Sequence, residues 1–201
     1  IILTCLLTDF ALIIERYFAL RTAFGKTSLV KFVAGIKAAL AAKDLEKAQK
    51  LCDQQRGSVA NVVSATLRKY KEMEADTVLT KEQKVLAIQK ELEESTALEM
   101  PMLQQNLPIL ATLTTLGTLF GLFGTVMGMI RSFASLAGEG GTDSAMLSVG
   151  ISEALVNTAF GIATAAFALM GYNYYTNKID KLTFSLDEVG FTIVQTFSAT
   201  H

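Results

Sequence analysis

Residues 107–130 read LPILATLTTLGTLFGLFGTVMGMI and contain no charged side chain. As an α-helix this stretch would extend about 36 Å, which is enough to cross a bilayer hydrocarbon core of about 30 Å. The composition agrees, since 51% of the 201 residues are hydrophobic and only 18% are charged. Only two residues are proline, and few turn clusters occur, which disfavours an all-β fold. The sequence therefore predicts a membrane protein built from long helices.

Two further apolar stretches lie towards the ends of the chain. Residues 147–175 are interrupted only by Glu153 and end in a tyrosine cluster followed by lysines, as at a membrane interface. Residues 1–14 are largely apolar, with Asp9 as the one charged side chain, and are too short to span, since a span needs about 20 residues. We interpret residues 1–20 as the end of a first transmembrane helix whose start is missing.

Residues 21–106 are rich in Lys, Arg and Glu and keep helical spacing of their apolar residues, which predicts a water-exposed helical region. Ser28, Asp44 and Ser58 are expected to cap its first three helices. Thr80 with Gln83 forms a capping-box pattern for a fourth. This fourth helix should continue into the apolar stretch, with a bend at a proline, either Pro101 or Pro108.

The distribution of Lys and Arg sets the orientation, because these residues flank the first and last spans and are absent from 135–146. The fold class is an all-α membrane protein with three transmembrane helices and a cytoplasmic helical domain. The predicted order is the end of transmembrane helix 1 (1–20), the cytoplasmic domain (21–106), transmembrane helix 2 (107–134), a periplasmic connection (135–146), transmembrane helix 3 (147–175) and a cytoplasmic C-terminal helix (176–201).

Composition argues against several functions. Eighteen basic and nineteen acidic residues give a net charge of −1, so nucleic acid is not an expected partner. Cys5 and Cys52 are far apart and the single histidine is His201, so we expect no metal site and no cofactor. No nucleophile has a candidate base beside it, and we expect no enzyme activity.

Glycines in the central stretch follow the small-xxx-small pattern that lets membrane helices approach closely. The pairs are Gly117 with Gly121 and Gly124 with Gly128, and we expect Gly161 of the next span to pack in the same way. The glycine-rich run at 117–128, GTLFGLFGTVMG, does not predict a phosphate-binding loop, because the Lys-Ser/Thr ending and the preceding strand of that motif are missing.

Hydroxyl groups recur in the same stretch. Thr115, Thr118 and Thr125 are spaced by three and seven residues, as on one helix face. Each hydroxyl could bond the carbonyl three or four residues back. Alternatively, the three together could face a wet crevice, where a hydroxyl both donates and accepts hydrogen bonds.

A carboxyl group interrupts the last span. Glu153, Asn157 and Thr164 share one helix face, and Thr158 lies beside it. If the helix begins near residue 143 or 144, Glu153 lies about 15 Å inside, where an ionisable group suits a proton relay. If it begins near Ser148, the carboxylate is wetted and favoured by the helix dipole.

Several blocks in order resemble the MotA/TolQ/ExbB proton-channel family, and most closely its ExbB and TolQ branch. They are ERYFAL (15–20), the LC…RGSVANVV run (51–63), LEESTALEMPMLQQNLPILATL (92–113), GLFGTVMGMIRSF (121–133) and GISEALVNTAFGIATAAFALMGYNYY (150–175). The resemblance gives Glu153 and Thr158 polar, pore-lining roles. Leu116 stands where the family commonly has a threonine, which displaces that hydroxyl to Thr115 or Thr118.

The resemblance implies a multi-pass subunit of the bacterial inner membrane that forms a homo-oligomer, a pentamer. Its pore would hold the helices of a dimeric, single-span ExbD- or TolR-like partner, and a TonB- or TolA-like protein is a further candidate partner. Proton flow would then power work on the outer membrane. The ion pathway would comprise the polar residues above: Glu153, Thr158, Thr115, Thr118, Asn157, Thr125 and Thr164. A non-conducting scaffold and a sodium-driven stator of the same family remain alternatives.

Overall fold

The computed structural model describes residues 1–137 and 144–200, and within those ranges the chain is α-helical without a β-strand. The described helices are α1 (Ile2–Ala23), α2 (Leu29–Ala41), α3 (Leu45–Gln55), α4 (Ser58–Ala75), α5 (Lys81–Gln104), α6 (Leu107–Ala137) and α7 (Ser144–Thr200). The all-helical part of the predicted fold class is therefore confirmed for the described residues.

Two stretches are long and apolar enough to cross a membrane, and they lie within Lys81–Ser135 and Ala145–Thr200. They contain the predicted second and third transmembrane helices. The shorter α1 does not meet the same criteria within the described residues. A third membrane-spanning helix therefore stays a prediction.

The chain divides into two compact units. The first, here called the membrane unit, comprises Ile1–Arg16 and Asn106–Thr176. In it α1 packs on α7 through an aromatic pair, Phe10 and Phe167, whose ring centroids are 5.4 Å apart. Farther along both helices, the Tyr175 hydroxyl donates to the carbonyl of Ile13 at 2.5 Å.

The second unit, here called the helical domain, comprises Tyr17–Gln105 and Asn177–His201. Its apolar core is contributed by the end of α1, by α2 to α5 and by the last part of α7. Tyr70 of α4 and Phe197 of α7 pack edge to face with centroids 4.9 Å apart. Other fully buried side chains are Ile36, Leu40, Leu67, Ile88, Leu186 and Ile193.

Two of the four expected helix caps in the helical domain are confirmed and two are corrected. Ser28 is the N-cap residue of α2, but its side chain makes no capping hydrogen bond. Asp44 accepts the Lys47 amide at 2.9 Å. Thr80 and Gln83 form both bonds of the capping box. Ser58 is not a cap, because α4 begins at Ser58 itself and its N-cap is Gly57, whose φ of +88° suits a residue without a Cβ.

The structure also corrects two expectations about helix continuity. The helix through Pro101 does not run on into the apolar stretch, because α5 ends at Gln104 and Asn106 has a left-handed φ of +62°. Conversely, α7 continues without a break through the predicted boundary at 175–176. Of the predicted connection 135–146, residues 138–143 lie outside the described ranges, as does His201.

Candidate functional site

Glycine residues bring α6 and α7 of the membrane unit into backbone contact. A Cβ atom added at Gly161 would lie 2.6 Å from both the Gly117 carbonyl oxygen and the Gly121 Cα. Distances below 3.0 Å essentially never occur for a real Cβ. Only glycine therefore fits at this position without moving the helices apart.

The same contact continues towards the end of α6. A Cβ at Gly124 would lie 2.7 Å from the Asn157 Cβ, and one at Gly128 would lie 2.7 Å from the Ala154 Cβ. Since positions ascend along α6 while they descend along α7, the two helices are antiparallel. We call this set the glycine contact, and it includes all the glycines expected to pack: Gly117, Gly121, Gly124, Gly128 and Gly161.

A pair of hydroxyl groups lies within the glycine contact. The Oγ1 atoms of Thr125 and Thr158 are 3.0 Å apart, so one donates to the other. Thr158 Oγ1 also lies 3.2 Å from the Gly121 carbonyl oxygen of the opposite helix. Thr125 Oγ1 lies 2.8 Å from the Leu122 carbonyl oxygen of its own helix. Each hydroxyl therefore has more than one acceptor and can reorient its single proton between them.

The remaining threonines are arranged differently. Thr118 is exposed and donates to the Thr114 carbonyl at 3.3 Å, and Thr115 is also exposed. Thr164 is fully buried and donates to the Phe160 carbonyl at 2.9 Å. The α6 hydroxyl that faces Thr158 is thus that of Thr125, where the resemblance pointed to Thr115 or Thr118.

Glu153 lies on the exposed side of α7 and its neighbour Asn157 is half-buried. Because α7 begins at Ser144, Glu153 is nine residues inside the helix, or about 14 Å at the usual rise. The helix start therefore corresponds to the first of the two alternatives for Glu153, the one that places it well beyond the terminal turn.

Ser132 is a polar residue that the spacing argument missed. Its side chain is 2% exposed and donates to the Gly128 carbonyl at 2.9 Å. A Cβ at Gly150 would collide with its hydroxyl. Ser132 follows Thr125 by seven residues, so extending the threonine spacing by two turns would have found it.

No group of three or more His, Cys, Asp or Glu side chains that could hold a metal occurs among the described residues. The site thus consists of hydroxyls, an amide and one carboxyl on two closely packed apolar helices. Such an arrangement can pass protons or coordinate a small cation.

Comparison with known proteins agrees with this arrangement. Residues 54–188, about two thirds of the chain, match the model of the MotA/TolQ/ExbB proton channel family. The chain belongs to this family. It is accordingly a membrane protein of a proton-channel family, and this family is not one of known enzymes.

Similar proteins carry names from the TolQ and ExbB branch. The chain is 32% identical over 84 residues to a Tol-Pal system protein TolQ of Haemophilus influenzae, covering 42% of this chain and 37% of that protein. It is 39% identical over 87 residues to a putative biopolymer transport protein ExbB-like 3 of Synechocystis, with coverages of 42% and 41%. It is 35% identical over 85 residues to a biopolymer transport protein ExbB of Salmonella typhimurium, with coverages of 42% and 35%. The matched segments span about two fifths of these relatives.

Proposed function

We propose that this chain is the proton-channel subunit of an ExbB/TolQ-like motor in the bacterial inner membrane. Its helical domain would lie in the cytoplasm. Proton flow would do work on an ExbD- or TolR-like partner and thereby on the outer membrane. The observation that carries the proposal is the Thr125–Thr158 hydroxyl pair, 3.0 Å apart across two apolar helices.

The hydroxyl pair is suited to proton passage because neither group is fully committed. Thr158 can donate to Thr125 or to the Gly121 carbonyl, and Thr125 can donate to Thr158 or to carbonyls of its own helix. Reversing the donor changes which oxygen can accept an incoming proton. Valine has the same shape without the hydroxyl, so it would block this step with little change in packing.

Glu153 would supply the titratable group of the pathway. Its exposed position on α7 leaves the carboxyl free to face a central pore or a neighbouring subunit. Thr115 and Thr118 are also exposed, on α6. A homo-oligomer, a pentamer by family resemblance, would place these side chains around a partner's single-span helices.

The two alternative functions, a non-conducting scaffold and a sodium-driven stator, require different side chains. A scaffold needs the glycine contact but not the hydroxyls. A sodium-driven stator would use the same oxygens as ligands for a hard cation. The exposed position of Glu153 and the choice of two acceptors for the Thr158 hydroxyl favour conduction over a scaffold.

Ion flux into liposomes containing the complete complex tests the proposal. We expect Thr158→Val and Glu153→Gln to lower proton flux at least about tenfold, as for loss of a proton-transfer group, in complexes that assemble normally. Thr112→Val is the matched control, because the Thr112 hydroxyl donates only to the Pro108 carbonyl, at 2.7 Å, on the exposed side of α6.

Both variants retaining wild-type flux would refute the proposal. An intact complex that conducts nothing would support the scaffold. Flux that follows sodium at fixed pH would instead identify a sodium-driven stator.

A further inference from the structure

A carboxyl group of α1 is buried inside the membrane unit. Asp9 is 0% exposed, and neither of its carboxylate oxygens has a hydrogen-bond partner. Other aspartates among the described residues are exposed or only partly buried. Buried carboxyl groups without partners are rare because each loses its hydration without compensation.

The position of Asp9 follows from the contact between α1 and α7. Ile13 packs against Gly171, since a Cβ added there would lie 2.9 Å from the Ile13 Cγ1. Phe10 pairs with Phe167, so the two helices run in the same direction. Asp9 is one turn before Ile13 and is therefore level with the turn of α7 that precedes Gly171. That turn contains the fully buried Ala168.

The charged and titratable groups near this contact do not neutralise Asp9. Arg16 lies two turns further along α1, about 10 Å by the helical rise, and its guanidinium binds Glu15 through two hydrogen bonds. Glu15 also accepts from Asn106 at 3.1 Å. The Tyr175 hydroxyl donates to a backbone carbonyl, and residues 107–130 of α6 carry no charge.

We propose that Asp9 is a second proton-binding site of the membrane unit, separate from the Thr125–Thr158 pair, and that it takes up and releases a proton as the complex conducts. Its carboxyl is neutral at rest, because an ionised form would be desolvated without a counter-ion. On uptake an oxygen–hydrogen bond forms at the carboxylate as one breaks in a hydronium ion, which becomes water, and on release the same exchange runs in reverse. The turn of α7 beside Asp9 lies about nine residues after Thr158, which is roughly 14 Å along the helix axis.

The statement that Asp9 takes up and releases a proton during conduction rests on the proposed function. The statement that its carboxyl is protonated at rest does not. Infrared spectroscopy of the complete complex in lipid separates the two. Selective 13C labelling of the aspartates of this chain identifies a carbonyl-stretch band as that of a protonated aspartate, and loss of the band in Asp9→Asn assigns it to Asp9. We expect this band in the wild type at neutral pH, its loss in Asp9→Asn and its persistence in Glu153→Gln.

Proton flux provides the second readout. We expect Asp9→Asn to lower flux at least fivefold, while Asp9→Glu retains more of it. Thr8→Val is the matched control, because Thr8 is the adjacent residue, is exposed and donates to the Thr4 carbonyl at 2.8 Å. Absence of the band, or wild-type flux in Asp9→Asn, overturns the inference. A labelled band in a complex without any flux would refute the proposed function but leave Asp9 as a proton-binding site.

Discussion

Replacing Gly161 by alanine should push α6 and α7 apart and break the Thr125–Thr158 hydrogen bond. The new Cβ would lie 2.6 Å from two backbone atoms, whereas ordinary contact begins at 3.4 Å. The helices must therefore separate locally by about 0.8 Å. Added to the 3.0 Å between the two hydroxyls, that shift exceeds the limit of a hydrogen bond, about 3.5 Å.

Three contributions determine how Gly161→Ala changes the free energy of unfolding, and the sign of each is known. Overpacking costs about 1–3 kcal/mol, and loss of an interhelical hydrogen bond in a membrane costs about 0.6 kcal/mol. Alanine gains about 1 kcal/mol over glycine in helix propensity. The net loss of stability should be about 0.6–2.6 kcal/mol.

Thermal unfolding of the complex in lipid measures this loss, with Gly35→Ala as control. A Cβ at Gly35 meets only the end of the flexible Leu51 side chain, with Cδ1 at 3.2 Å and Cδ2 at 3.9 Å. We expect Gly35→Ala to leave the unfolding temperature unchanged or to raise it.

Flux supplies the second comparison. If Gly161→Ala already separates the Thr125 and Thr158 hydroxyls, Thr158→Val should lower proton flux less in the Gly161→Ala background than in the wild-type background. A wild-type unfolding midpoint together with an unchanged effect of Thr158→Val would contradict the reasoning.

Three further predictions concern the helical domain. Gln55 is 1% exposed and its amide donates to the carbonyls of Phe24 and Thr27 at 2.8 and 3.0 Å, so Gln55→Leu should cost about 2–4 kcal/mol in urea unfolding. Thr80→Ala removes the capping-box bond from the Gln83 amide to the Thr80 hydroxyl and should cost about 1 kcal/mol, whereas Thr80→Ser should not. Hydrogen exchange in the first turn of α5 measures the difference. Burial raises the pKa of the Cys52 thiol to about 12. Iodoacetamide should therefore label Cys52 at neutral pH only after denaturation, and labelling of Cys52 in the native protein would contradict its burial.

The sequence predicted the elements whose signal is local. The uncharged run at 107–130 marks α6, and Thr80 with Gln83 marks the start of α5, because hydropathy and capping act within a few residues. Asn106 was missed as a helix break, because left-handed asparagine has a weaker signal than Pro101 or Pro108 nearby.

The threonine spacing was less informative than the glycine spacing. Counting 100° per residue from Gly117 places Gly121, Gly124 and Gly128 within about 40° of one line, with Thr118 and Thr125 about a quarter turn away and Thr115 nearly opposite. The spacing among the threonines alone does not show which face turns towards α7. That face is set by backbone contact between helices, which depends on residues of both.

The glycine contact also has a consequence for conformational entropy. Glycine and alanine have no side-chain rotamers to lose when helices associate, so bringing α6 and α7 together costs little rotamer entropy. The distance between Thr125 and Thr158 is then fixed by two backbones in direct contact rather than by flexible side chains between them. We therefore expect this distance to change little with temperature or lipid composition, and to respond chiefly to movements of a whole helix.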